Sequence, residues 1–422
     1  MIEQTVTRDP SCADDFDPNS LSVMEALARI DTAIRPIRGY QKLALRDALD
    51  RVLTEAIDSP IDVPAHTNSA MDGYAVAGGD LTADESTQLA VIGTAYAGKP
   101  FKGALGPGQC VRIMTGAVMP QGSDTVVMQE HVSVEGDHIQ LGGGHRSGQN
   151  VRQAGEDLRV GTRVLEPGTR IRPAELGLIA SLGIGEIRVS RRPRVAFFST
   201  GDELKSIGET LARGDIYDSN RYTLYGMLTR LGVDVIDMGV IGDRRADLEA
   251  AFRDAADIAD AIITSGGVSV GEADFVKDTL NALGQVHFWK IAMKPGRPLA
   301  FGRVGDALFF GLPGNPVSVM VTFYQFVQPA LRRLMGEREP ATIAVPARCA
   351  GRLRKRPGRV EYQRGILRRD GDGGLVVSST GEQGSGILSS VAQANCFIVL
   401  PTESEGVDAG DEVKVQPFDG LI

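Results

Sequence analysis

The 422-residue chain has only four cysteines, Cys12, Cys110, Cys349 and Cys396, and none forms a C-x-x-C pair. Neither a zinc site nor a redox dithiol is indicated, and scattered thiols in a chain this long fit a reducing compartment. Its five histidines, His66, His131, His138, His145 and His287, show no metal-ligand spacing. No Ser-His-Asp or Cys-His pattern stands out. The first residues are acidic and hold no apolar signal-peptide core. No run of about 18 apolar residues occurs, so no membrane span is expected, and the expected location is the cytoplasm. A basic excess is missing too: Lys plus Arg is 45, Asp plus Glu is 54, and the net charge is −9. That argues against a general nucleic-acid or anionic-membrane surface but leaves room for a local basic pocket. No repeat period of roughly 20–50 residues is evident.

What is present fits a soluble globular protein, with 42% apolar and 23% charged residues. The length implies roughly two to four domains. The most informative stretch is 262–274, Ile-Ile-Thr-Ser-Gly-Gly-Val-Ser-Val-Gly-Glu-Ala-Asp. A buried-type apolar run ends in a loop holding Gly266, Gly267 and Gly271 with Thr264, Ser265 and Ser269, and Glu272 and Asp274 follow at once. Glycines let backbone N–H groups close around an anion. A carboxylate beside such a cradle suits a divalent cation on a phosphorylated ligand. A tight strand-to-helix turn without ligand is the alternative.

Residues 1–20 read as a disordered lead-in. Residues 21–35 carry a helical apolar face, Val23, Leu27, Ile30 and Ile34, with a Ser22-x-x-Glu25 capping box. Residues 41–53 read as a second helix. From about residue 60 short β-rich runs alternate with Gly and Pro turns, as in Leu89–Ile92, Cys110–Met114 and Thr125–Gln129. A helix is expected from Pro173. The helices of 21–60 are expected to join residues 150–191 in one discontinuous helical and linker domain, with 61–149 as an inserted β domain. Residues 192–336 alternate strand and helix, which predicts a three-layer αβα domain with a mainly parallel sheet. In such sheets ligands sit beyond the carboxyl ends of the strands. The polar clusters fall there: Ser199–Glu203, Gly242-Asp243 and Ser265–Asp274. Residues 340–422 return to β texture and are expected to form a barrel-like C-terminal domain. The fold class is thus multidomain α/β plus β.

Four other constellations could carry chemistry. Lys290, Lys294 and Arg297 sit within Trp289–Pro298, either as an anion clamp or as a solvated strand end. Gly311-Leu312-Pro313-Gly314-Asn315-Pro316 fixes a rigid loop before a helical run over Val317–Leu334, with Asn315 as a possible N-cap and Pro316 in the first turn. Such a helix start can meet an anion. Asp72-Gly73 reads as a turn inside a β segment, and Thr115 and Asp157 read equally as loop residues. Arg364 in Glu361–Gly365 and Ser385 in Gly381–Gly386 could hold an oxyanion, or could simply mark two hairpin turns.

Together these stretches resemble the molybdopterin molybdenumtransferase family, relatives of the C-terminal part of gephyrin. The matching segments are Asn68–Val76, Arg112–Gly116, Ser147–Asp157, Phe198–Glu203, Ile216–Arg221, Ser265–Asp274, Lys290–Pro298, Gly311–Ser318, Gln363–Gly365 and Gly384–Ser385. They run in family order from about residue 20 to the end. The resemblance implies four domains in a homodimer, and molybdate insertion into adenylated molybdopterin with release of AMP, assisted by Mg2+. It implies cleft roles for Asp72, Thr115, Asp157, Glu203, Asp243 and Asp274, with Asp243 and Asp274 as metal ligands. Ser265, Gly266, Gly267, Ser269, Lys290, Lys294, Arg297, Pro313, Gly314, Asn315 and Pro316 would bind substrate, and Arg364 and Ser385 would bind molybdate. Molybdopterin adenylyltransferase and recipient molybdoenzymes are the implied partners. The chain departs from the family at His66-Thr67, where Phe-Asp is common. Two other readings compete: the adenylyltransferase itself, and a non-catalytic gephyrin-like scaffold.

Overall fold

The computed structural model describes residues 20–82, 85–267, 275–338 and 343–418. The expected lead-in, apart from residue 20, lies outside them, as do Ser269, Gly271, Glu272 and Asp274. The chain forms two compact units, residues 42–189 and residues 1–41 with 190–422.

The smaller unit holds a six-stranded sheet of β1 (Gly73–Val76), β2 (Thr87–Ala95), β3 (Gln109–Ile113), β4 (Thr125–Met128), β5 (Val132–Glu135) and β6 (His138–Leu141), in the order β4-β1-β3-β2-β6-β5. Only β2 and β3 run parallel. Tyr74, Val76, Cys110 and Val127 bury one side of it, and Ala75, Val111, Ile113 and Val126 the other. That is the alternation a pleated strand imposes. A separate core joins Ala48, Leu53 and Ile57 to Ile171, Ile179, Leu182, Ile187 and Val189. The expected helix there is Pro173–Ser181, with proline in its first turn.

Residues 41–53 are not a helix. Tyr40–Ala44 is extended and Leu45–Ala48 is a single 3-10 turn. The backbone is committed elsewhere: the Leu45 N–H donates to the Gly185 carbonyl and the Leu53 N–H to that of Thr169, at 2.9 Å each. Asp50 takes φ +62, which a helix excludes, and Leu49 is exposed. Tertiary pairing overrides an apolar spacing that imitates a helical face.

In the larger unit, α1 (Val23–Ala33) starts at the expected capping box, in which the Ser22 side chain accepts from the Glu25 N–H and Glu25 accepts from the Ser22 N–H. A second six-stranded sheet follows: β7 (Arg194–Thr200), β8 (Asp234–Ile241), β9 (Ala261–Ser265), β10 (Gly284–Lys290), β11 (Pro298–Val304) and β12 (Ala307–Leu312), in the order β8-β7-β9-β12-β11-β10. The four strands β8, β7, β9 and β12 are parallel, and β11 runs against its neighbours. β7, β9 and β12 are buried almost throughout, as strands covered on both faces must be. Helices α3 (Arg245–Ile258) and α4 (Phe275–Leu283) cover Ala196, Phe198, Ile262 and Phe309. Helices α2 (Ser219–Leu231) and α5 (Pro316–Thr322) contact each other and the sheet, and Phe197, Ile263 and Phe310 are buried on that other face. The expected run Val317–Leu334 is helical but passes through a π turn at Phe323–Val327 before Pro329.

The C-terminal strands β13 (Val345–Cys349), β14 (Val360–Arg369), β15 (Leu375–Ser379), β16 (Cys396–Leu400) and β17 (Glu412–Pro417) close on themselves in the order β14-β15-β13-β17-β16-β14. Val377, Cys396, Ile398, Leu400 and Val415 fill this five-stranded barrel. Met293–Lys294, between β10 and β11, adds to it by pairing in parallel with Val360 and Glu361.

Candidate functional site

The parallel register brings the polar loops together. Ser199 of β7 pairs with Ser265 of β9, Ser265 with Leu312 of β12, and Thr200 with Ile241 of β8. The four strands therefore end at one edge, where a cleft of about 840 Å³ opens. Glu203, Asp243, Ser265, Gly266 and Gly267 line it, with Lys294 and Arg297. Pro313, Gly314, Asn315, Pro316 and Ser385 complete the expected residues along its wall.

The glycine loop is shaped by exclusion. Gly266 has φ +92, and a Cβ there would lie 2.7 Å from the Thr200 carbonyl oxygen. Gly267 has φ +66, and its Cβ would lie 2.4 Å from Val276 Cγ2. Only glycine fits either position. The Gly266 N–H already donates to the Leu312 carbonyl at 3.1 Å, so this residue makes room and does not itself offer a donor.

The proline loop is tied to the barrel. Asn315 precedes α5 but does not cap it. Its Nδ2 donates to Ser385 Oγ at 3.0 Å, and the Val317 N–H donates to the Ser385 carbonyl at 3.1 Å. Lys294 Nζ sits 2.8 Å from the buried Glu361 Oε1, whose other oxygen accepts from Gln363 Nε2. Glu361 thus anchors the lysine and offsets its charge, and Arg297 and Arg359 add cations to the wall.

Asp243 carries the perturbed carboxyl of the cleft. Its pKa is raised by desolvation first and by the negative charges of Asp202 and Glu203 second. The Asp243 N–H donates to Asp202 Oδ1 at 3.2 Å. Among the described residues no three His, Cys, Asp or Glu side chains stand close enough to hold a metal ion.

Among the described residues, two expected residues of this unit stand apart from the cleft lining. Lys290 ends β10 with an exposed side chain, and its carbonyl accepts from the Leu21 N–H. Arg364 is 1% exposed. Its guanidinium donates to Ser390 Oγ at 3.0 Å and to the Gly384 carbonyl at 2.9 Å, and its backbone N–H donates to Gln383 Oε1 at 2.8 Å. Burial lowers its pKa to about 10, against the pull of Glu361. In this arrangement Arg364 braces the loop that carries Ser385.

In the smaller unit, Gly73 of β1 pairs with Ile113 of β3, which brings Asp72 and Thr115 to the same sheet end. Thr115 donates both its N–H and its hydroxyl to Asp72 Oδ1, each at 2.7 Å. These bonds, the backbone one first, lower the Asp72 pKa. Asp157 is exposed in a turn whose N–H donates to the Val63 carbonyl at 3.0 Å.

Thr200, Asp218, Asn220, Arg359 and Gln383 also line the cleft. Sequence reasoning assigned none of them an individual role, although all but Arg359 lie in stretches it marked. The signal for two of them was local: Asp218-Ser219-Asn220 reads as a helix start, and Asp218 does cap α2 by accepting from the Arg221 N–H.

Comparison with known proteins fits this arrangement. The MoeA N-terminal region (domain I and II) matches residues 21–183, the probable molybdopterin binding domain 196–333, and the MoeA C-terminal region (domain IV) 346–418. The molybdopterin molybdenumtransferase of Haemophilus influenzae is 47% identical over 384 residues, covering 90% of this chain and 94% of its own. That of Bacillus subtilis is 34% identical over 401 residues, covering 92% and 93%. The solved structure of the molybdopterin biosynthesis MoeA protein from Pyrococcus horikoshii OT3 superposes with a TM-score of 0.83 at 30% identity, over 94% of this chain and all of that one. With likeness of this degree along almost its whole length, the chain belongs to the molybdopterin molybdenumtransferase family.

Proposed function

We propose that the protein is a transferase that inserts molybdate into adenylated molybdopterin and releases AMP. The single observation that carries this reading is the cleft at the carboxyl edge of the parallel sheet, in a chain 47% identical to a molybdopterin molybdenumtransferase.

The residues suit the task. The substrate is a phosphoanhydride meeting an oxyanion, and both are negative. Lys294, Arg297 and Arg359 present cations to them, which stabilises bound anions most where water is excluded. The room left by Gly266 and Gly267 lets phosphate approach the loop backbone. Ser385 offers a hydroxyl beside Asn315, on a loop held rigid by Arg364. Replacing oxo groups by dithiolene sulfurs releases water and needs protons. Glu203 or Asp72 would move those protons, and Asp72, its pKa lowered by Thr115, favours the carboxylate that accepts one.

Mg2+ is part of this proposal. Asp243 is partly desolvated, which is the first cause of its raised pKa, and Asp202 and Glu203 add negative charge beside it; hard carboxylate oxygens are the ligands Mg2+ prefers. Asp243 would hold it, with Asp274 as the proposed second ligand. When bound, the ion would neutralise charge on the phosphoanhydride as AMP leaves.

Roles for Asp72, Thr115 and Asp157 in the same reaction are part of this proposal, as are those of Ser269, Lys290, Pro313 and Pro316 in substrate binding and of Arg364 toward molybdate. So are a homodimer, a cytoplasmic location, and exchange with an adenylyltransferase and recipient molybdoenzymes. No helix among the described residues is long and apolar enough to cross a membrane. We also propose the division into 21–60 with 150–191, 61–149, 192–336 and 340–422.

The test is AMP release from adenylated molybdopterin with Mg2+, with and without molybdate, coupled to activation of an apo-molybdoenzyme. Molybdate-stimulated release with activation is the expected result. ATP consumption with molybdopterin would assign the adenylyltransferase step instead, and no release in either condition would assign a scaffold.

A further inference from the structure

Asn220 occupies the second position of α2, half-buried, and lines the cleft. Its Nδ2 donates twice, to Ser265 Oγ at 2.8 Å and to the Gly314 carbonyl at 2.7 Å. The two acceptors are the last residue of β9 and a residue of the loop that leaves the neighbouring strand β12. The two strand ends are also joined directly, because the Gly266 N–H donates to the Leu312 carbonyl at 3.1 Å. A carbonyl only accepts, so the amide is oriented with nitrogen toward Gly314. Its Oδ1 is then buried with no hydrogen-bond partner among the described residues. The nitrogen thus serves both loops at once, and removing it would take a donor from an acceptor on each.

We propose that Asn220 is a positioning residue for the insertion reaction. Its amide sets the gap between the Ser265–Gly267 loop and the Pro313–Pro316 loop, and thereby the affinity for the adenylated substrate. The inference rests on the function proposed above. A second amide continues the strap, since Asn315 Nδ2 reaches Ser385 Oγ. The glycine loop, the proline loop and the barrel loop are thus joined by two asparagine side chains.

Asn220→Ala removes both donors and leaves the Asp218 cap of α2 in place. Alanine is also the better helix former, so the fold should survive. Asn220→Asp keeps the shape but sets an acceptor against the Gly314 carbonyl. Two measurements separate the tie from the reaction. Hydrogen exchange should quicken in both loops of each variant. KM for adenylated molybdopterin should rise roughly tenfold, within the range expected when two neutral hydrogen bonds that preset the loops are lost. The molybdate dependence and kcat should change little, and the thermal midpoint should hold. Unchanged exchange would overturn the tie. Faster exchange with unchanged KM in an active wild-type background would overturn the positioning role, as would a fall in kcat alone. A wild-type protein that releases no AMP would overturn the reaction and the role with it, while faster exchange in the variants would still establish the tie.

Discussion

Gly266→Ala against Gly314→Ala tests whether the loop is shaped by backbone demand. Gly266 has φ +92, a conformation that costs an L-residue about 1–2 kcal/mol. The added Cβ would also stand 2.7 Å from the Thr200 carbonyl oxygen and 3.1 Å from Thr200 Oγ1. The hydroxyl can turn away, but the carbonyl belongs to the end of a central strand whose ladder holds it. Relieving such a clash costs about 1–3 kcal/mol. The restricted unfolded chain returns about 0.4–1 kcal/mol. The sum predicts a loss of about 1–5 kcal/mol for Gly266→Ala, and a thermal midpoint lower by roughly 2–8 °C. Gly314 is not left-handed, and its Cβ would meet nothing closer than 3.9 Å. Gly314→Ala should therefore fall within about 0.5 kcal/mol of the parent protein. Denaturant unfolding of the two variants, followed at equal protein concentration, gives the comparison. Equal stabilities, or a Gly266→Ala variant indistinguishable from the parent, would refute the argument that glycine is required there by space and φ.

Two further outcomes follow from the charges. The raised pKa of Asp243 means that its fold favours the neutral carboxyl. The associated stability is present below the unfolded pKa and lost as pH rises through the folded one. Asp243→Asn should accordingly melt higher than the parent at pH 7, with the gap closing toward acid pH, while AMP release falls. A melting gap that is the same at both pH values would contradict this. The Asp72 pKa is lowered, so its contribution is present above the unfolded pKa and lost as pH falls through the folded one. Thr115→Val removes the hydroxyl donor but keeps the stronger backbone one, and carboxyl NMR should show the Asp72 pKa move part of the way back up. No movement would mean that the hydroxyl bond is not made in solution.

Much of the architecture was legible because strand and helix alternate with clear punctuation. β9 falls where its apolar run places it, and α1 begins at its capping box. Val345–Cys349 escaped notice, since alternating Val, Ala and Cys between Pro and Arg gives a weak apolar signal. Residues 41–53 misled because periodicity reports which side chains are apolar, not what their backbone bonds to. The cleft was legible as loops but not as side chains. Ser265, Gly314 and Ser385 are far apart in sequence, and it is Asn220 and Asn315 that connect them. An asparagine near a helix start carries no mark of that task. Arg364 shows a related limit: a single arginine in a β segment reads as an anion ligand or a hairpin mark, and no local pattern announces that the folded barrel also sets its donors on Ser390 and the Gly384 carbonyl.

The two-residue pairing of Met293–Lys294 with Val360–Glu361 bears on how this chain could be recombined with a relative. Lys294 comes from the segment between β10 and β11, but its carboxylate partner comes from the barrel. A crossover placed in the 339–342 segment, the natural seam by strand count, would take the lysine from one parent and the glutamate from the other. A chimera made there inherits its cationic wall only if both parents carry the same pair, so compatible donors can be sorted by two positions before any are built.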